Sequence, residues 1–180
     1  VPLAELIADA DETVAGLAET NGPAKQDTAG AYAQQAIDSF GKPIVGVRCG
    51  TINSVDDVIG VLRPSNMVVL GGRPGMGKTS LLTGYSLGAA IRNHPTLFFS
   101  LEMSADELVR RMLADLCFST AGGVRHEHIR DGNVSDADLA RVLGAQKRLS
   151  ELPLEISDTS GLTIAAIARQ TRTHKRRLAT

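Results

Sequence analysis

Residues 72–79 read GRPGMGKT and follow directly on the apolar run MVVLG at 67–71. A turn can use one or two glycines, but it does not require the fixed G-x-x-x-x-G-K-T spacing that runs from Gly72 to Thr79. The run 67–71 is expected to be a buried strand. Behind the loop, SLLTGYSLGAAI places Leu81, Leu82, Tyr85 and Ala89 on one helical face. A buried strand, a bare turn and a helix N-terminus in that order restrict the chain to an α/β fold.

The rest of the chain repeats this alternation. TLFFS at 96–100 is short, apolar and partly aromatic, as a parallel strand covered on both faces should be. Ser104 with Glu107 forms a capping-box pattern that opens a helix carrying Leu108, Met112, Leu113 and Leu116. Ser135 with Asp138 opens another, with Leu139, Val142, Leu143 and Leu149 on its inner face. LPLEIS at 152–157 reads as a third strand, and Thr163 caps a last helix with Ile164 and Ile167. The fold expected is a mostly parallel sheet flanked by helices, over residues 44–180. Before it, Leu3, Leu6, Ile7, Ala10, Val14 and Leu17 mark one amphipathic helix, and Ala33, Ala36, Ile37 and Phe40 a second. Residues 1–43 are therefore expected to form a helical arm.

Composition narrows the partners. The chain has 180 residues, 43% hydrophobic and 22% charged, enough for one core and an arm. Its net charge of -1 creates no global field for a polyanion, so any such binding has to be local. Aromatics are 3% and Trp is absent, which leaves few rings to stack on bases. Cys49 and Cys117 fit neither a disulfide framework nor a zinc site, which suits a reducing compartment. No apolar run of membrane-spanning length and no basic leader occurs, so a cytoplasmic location is expected. A start at Val1 and an end at HKRRLAT lead us to expect a piece of a longer protein. His94, His126, His128 and His174 have no metal-ligand spacing, and His126 and His128 are expected in a solvated loop.

Glycines at this spacing suit a phosphate chain. Backbone N–H groups have to approach it closely, and Cβ atoms at Gly72, Gly75 and Gly77 would stand in the way. The helix N-terminus adds its positive dipole end. Lys78 would reach the β and γ phosphates of a nucleotide such as ATP, and Thr79 would offer its hydroxyl to Mg²⁺. The binding set is Gly72, Arg73, Pro74, Gly75, Met76, Gly77, Lys78, Thr79 and Ser80. Glu102, just past TLFFS, is expected at the carboxyl end of a strand beside the loop strand, where a carboxylate can polarise an attacking water. The other reading makes Glu102 a solvated residue that leads into a capped helix. Arg169, Arg172, Lys175, Arg176 and Arg177 also admit two readings, a nucleic-acid patch or a complement to the helix dipole.

Three stretches together, GGRPGMGKTSLLTGYSLGAA, TLFFSLEMSADELVRRMLADL and LPLEISDTSGLTIAAIARQTR, resemble the ATPase domain of the bacterial replicative DNA helicases, the DnaB-like branch of the RecA-type hexameric motors. The resemblance covers roughly residues 44–180. It implies a RecA-like P-loop core, ATP and Mg²⁺ between subunits of a six-membered ring, and movement on single-stranded DNA that separates the duplex. Primase and a helicase loader are the further partners it implies. Carried over by position, Gly72, Gly77, Lys78 and Thr79 are the Walker A residues and Glu102 is the catalytic glutamate. The arm at 3–20 resembles the linker helix that docks on a neighbouring subunit, and an ordinary packing helix is the alternative. Two stretches depart from the family pattern. GTINSVDD at 50–57 stands where T-G-x-x-x-L-D is usual, and GVLRPS at 60–65 where GG-L-x-P-G is usual. The Walker B aspartate, the arginine finger and the DNA-contacting loops are expected beyond Thr180. A recombination or repair ATPase of RecA type, or a nucleotide-binding oligomerisation scaffold, are the alternative functions.

Overall fold

Four helices of the computed structural model begin on a hydroxyl side chain. Thr28 opens α1 (Ala29–Asp38), Ser104 opens α4 (Ala105–Cys117), Ser135 opens α6 (Asp136–Ser150) and Thr163 opens α7 (Ile164–Arg177). In each, the side-chain oxygen accepts a hydrogen bond from the amide three residues on, at 3.2 to 3.3 Å. Each such cap contributes about 1 kcal/mol to its helix. Between them lie α2 (Asn53–Ile59), α3 (Lys78–Ile91) and the short α5 (His126–Asp131). The structure describes residues 7, 9–11, 14, 27–119 and 122–178. Of the arm helix expected at 3–20, residues 7, 9–11 and 14 are helical, and the remainder lies outside the described residues.

Strands β1 (Thr96–Phe99) and β2 (Leu154–Ser157) pair in parallel, with Thr96 opposite Leu154 and Phe99 opposite Ser157. Backbone bonds from Thr96 N to Pro153 O and from Ser100 N to Ser157 O, both 2.8 Å, extend the ladder at its two ends. The crossover between the strands contains α4, α5 and α6, while α3 packs on both strands. The crossover has a core of its own. Cys117, Val124 and Ala145 are buried there and are surrounded by Leu113, Leu116, Ile129, Val134 and Val142. Burial pushes the Cys117 thiol up, so it stays protonated. From α4, Arg110 donates to the carbonyls of Ile129 and Arg130 and ties down the end of α5.

The first expected strand is not part of the sheet. Among the described residues, 67–71 has no ladder partner, and Met67 is 87% exposed and Val69 78%. An apolar run reports a preference for burial, but a strand also needs a neighbouring backbone, and β1 pairs with β2 instead. Glu102 therefore follows a strand whose sheet neighbour is β2, not the segment before the loop. Two helical faces also differ from expectation. On α3 the buried set is Thr83, Gly84, Leu87, Gly88, Ala89 and Ala90, while Leu82 is exposed. Small residues face inward there because another backbone comes close. On α6, Ala145 is buried, Val142 joins the core, and Leu139 and Leu143 face outward. His126 and His128 lie on α5 rather than in a loop, and the Nε2 of His126 is buried.

The chain divides into two compact units, one of residues 45–161 and one of residues 1–44 with 162–180. Both strands and α2 to α6 belong to the first. Helix α7, with Lys175, Arg176 and Arg177 exposed in its last turn and His174 buried, belongs to the second.

Candidate nucleotide-binding loop

The loop between residue 71 and α3 turns through two glycines in the left-handed region, Gly75 at φ 78° and Gly77 at φ 81°. A side chain at either position would be strained. Gly77 is also the N-cap of α3 and has no side chain to close the cap. Among the described residues, the amides of Gly75, Gly77, Lys78, Thr79 and Ser80 find no backbone acceptor. The first intrahelical bond is from Leu81 N to Gly77 O, at 2.9 Å. A row of open N–H groups at a helix start is a ready seat for an anion.

Lys78 already leans over this seat. Its Nζ donates to the carbonyls of Gly72 at 2.9 Å and Arg73 at 3.1 Å. Its stem lies alongside Gly72, where a Cβ would come within 3.4 Å of Lys78 Cγ. Lys78 and Thr79 are half-buried, while 71–77 and Ser80 are exposed. Ammonium bonds to anionic oxygens are about twice as strong as those to neutral carbonyls. An incoming phosphate would therefore draw the ammonium off its own loop. Open amides, one ammonium and the Thr79 hydroxyl in sequence fit a phosphate chain with its metal ion. Arg73, Pro74 and Met76 lie on the exposed outer part of the loop, and Met76 N closes it with a 3.3 Å bond to Arg73 O. Glu102 is exposed in the turn between β1 and α4. Among the described residues no hydrogen bond joins it to the loop.

The other end of α3 carries residues that the sequence reading does not single out. Asp56, on α2 and 8% exposed, accepts from the amides of Cys49 at 2.8 Å and Gly50 at 2.6 Å. Arg92, just past α3, donates to Cys49 O at 3.2 Å, Gly88 O at 3.1 Å and Gly50 O at 2.9 Å. Tyr85 donates to Val47 O at 3.1 Å and Thr51 to Gly84 O at 3.2 Å. Burial first, and then the Asp56 carboxylate, push the Tyr85 phenol up. A Cβ at Gly88 would overlap the Cys49 carbonyl, and one at Gly50 the Arg92 guanidinium. The available signals are glycines spaced four apart on one helix, Gly84 and Gly88, and an aspartate seven residues after Cys49. Neither singles out a brace without the fold.

The chain matches the family described as DnaB-like helicase C-terminal domain over residues 46–180. It is 32% identical over 136 residues to the replicative DNA helicase DnaB of Leifsonia xyli subsp. xyli, a match that covers 75% of this chain and 28% of that one. It is 34% identical over 145 residues to the replicative DNA helicase DnaB of Rickettsia bellii, covering 74% of this chain and 28% of that one. Among solved structures, a DnaB-like replicative helicase described with its interactions with primase superposes with a TM-score of 0.70 at 25% identity, over 92% of this chain and 39% of that chain. A second solved structure, described as an ATPase domain, superposes with a TM-score of 0.68 at 23% identity, over 83% of this chain and 51% of that chain, a likeness of fold. The chain thus spans little more than a quarter of the length of the curated relatives it matches. With its glycine loop, both of its paired strands and the whole helical crossover inside the matched stretch 46–180, the chain belongs to the DnaB-like helicase C-terminal domain family.

Proposed function

We propose that this chain supplies the nucleotide-hydrolysing part of a replicative DNA helicase, which couples ATP hydrolysis to movement on single-stranded DNA and to separation of the duplex. One observation carries the reading: open amides at the start of α3 face a lysine held only by its own loop carbonyls. In this reading Gly72 to Ser80 wrap the phosphates, and Lys78 exchanges the carbonyls of Gly72 and Arg73 for phosphate oxygens. Thr79 would hold Mg²⁺, which when bound offsets phosphate charge. Glu102 would orient the attacking water and take its proton.

Kinship with replicative helicases supports a homo-oligomer, by family a hexamer, with primase and a loader as partners. The arm, residues 1–43, would reach a neighbouring subunit. Recombination-ATPase and scaffold readings draw no support from the relatives above. Among the described residues no helix is long and apolar enough to cross a membrane, in keeping with work on DNA in the cytoplasm.

The test is made on the full-length protein. Lys78→Ala should abolish DNA-stimulated ATP hydrolysis and strand displacement. Glu102→Gln should keep nucleotide binding and lose turnover. Hydrolysis at the wild-type rate in Lys78→Ala would overturn the assignment.

A further inference from the structure

Glu102 sits in a five-residue turn, 100–104, whose two ends are both tied to the end of β2. At the entry, Ser100 N donates to Ser157 O at 2.8 Å, which continues the β1–β2 ladder. Within the turn, the buried Ser100 hydroxyl donates to Met103 O at 2.6 Å and accepts from Met103 N at 3.3 Å. At the exit, the carboxylate of Asp158 accepts from Ala105 N at 2.8 Å, across 53 residues of sequence. Ala105 is the first residue of α4, and Ser104 Oγ already serves the Glu107 amide two residues further in. Asp158 thus satisfies a different orphan amide from the one the local cap takes, and does so from the residue just past β2.

From this geometry we propose that Asp158 is a positioning residue for Glu102. The inference rests on the reading of Glu102 as the water-orienting carboxylate. Without the Asp158 bond the turn keeps its tie to β2 at the entry and loses the one at its exit, where α4 is then held only by the packing of residues further along it, Leu108 and Met112. Glu102 lies between those two points, so its carboxylate would wander by an amount that matters for water orientation. A misplacement of about 1 Å at a reacting group can cost on the order of a hundredfold in rate. A partial loss of restraint should cost less.

The experiment measures steady-state ATP hydrolysis and nucleotide affinity in the full-length protein. Asp158→Ala should lower kcat about tenfold, with KM and nucleotide affinity unchanged, since the loop at 72–79 is untouched. Asp158→Asn keeps an acceptor oxygen and should restore kcat to within about twofold. Ala105→Pro deletes the same bond from the donor side. Proline is favoured at a first helical position, and the Ser104 backbone at φ −67° and ψ 153° already suits a following proline, so the helix should form. It should reproduce the loss even if Asp158→Ala were to assemble poorly. In a Glu102→Gln background, Asp158→Ala should lower the residual turnover no further, because the two act as one unit. A kcat within twofold of wild type in Ala105→Pro overturns the proposal, as does an additive loss in the double variant. If Glu102→Gln itself hydrolyses ATP at the wild-type rate, the reading of Glu102 has failed instead, and that result is distinct from either of the others.

Discussion

At its N-terminus α3 offers unpartnered amides, two left-handed glycines and a lysine bonded to its own loop; at its C-terminus, 14 residues on, the buried Asp56 holds the amides of Cys49 and Gly50 while the exposed Arg92 holds the carbonyls of Cys49, Gly50 and Gly88, a polar brace. The two ends are about 20 Å apart at the usual rise of an α-helix. Both use glycine, for opposite purposes. Gly75 and Gly77 leave room for something to arrive, whereas Gly88 lets the 47–52 backbone lie against the helix permanently. Under the proposed function the loop trades its own hydrogen bonds for those of a nucleotide, and such a loop cannot also carry the fold.

If that division is right, substitutions at the two ends should have separable effects. The largest is expected at the open end. Lys78→Ala should lower ATP turnover by about a hundredfold or more, equivalent to about 3 kcal/mol of barrier, with the melting temperature unchanged. Loss of stability in this variant would blur the division. Gly88→Ala should do the reverse. A Cβ forced into the Cys49 carbonyl should destabilise by about 2–3 kcal/mol in chemical denaturation, while nucleotide affinity of the folded fraction holds. Next is Asp56→Ala, which strands two amides that now share one buried carboxylate and should cost about 2 kcal/mol. A neutral outcome there would mean the brace is dispensable. The smallest effect is a gain. Ser65 adopts φ 69° in the turn before the loop, a conformation that suits glycine, so Ser65→Gly should stabilise by about 0.5 kcal/mol.

What the residues alone disclose follows the same division. The open geometry at the start of α3 is legible because its left-handed glycines stand at fixed spacing in consecutive residues, Gly72 to Thr79, the pattern that the proposed phosphate binding demands. Helix starts are legible for a similar reason, since Ser104, Ser135 and Thr163 act on amides three positions away. The brace is not. Asp56 comes from one stretch and Gly88 with Arg92 from another, and nothing in either states that the other is near. The segment 67–71 misleads for a related reason. Its apolar side chains suit a sheet, but the pairing that makes a strand belongs to the neighbour and not to the run itself. On α3, hydrophobicity points to Leu82, whereas the close approach of the Cys49 carbonyl selects Gly88.

Amide hydrogen exchange of the full-length protein, with and without magnesium and a nonhydrolysable ATP analogue, tests the central claim most directly. Peptides that cover 72–81 should slow markedly with the nucleotide, while those that cover 47–59 should exchange at an unchanged, already slow rate. Exchange in 72–81 that is indifferent to the nucleotide would contradict it.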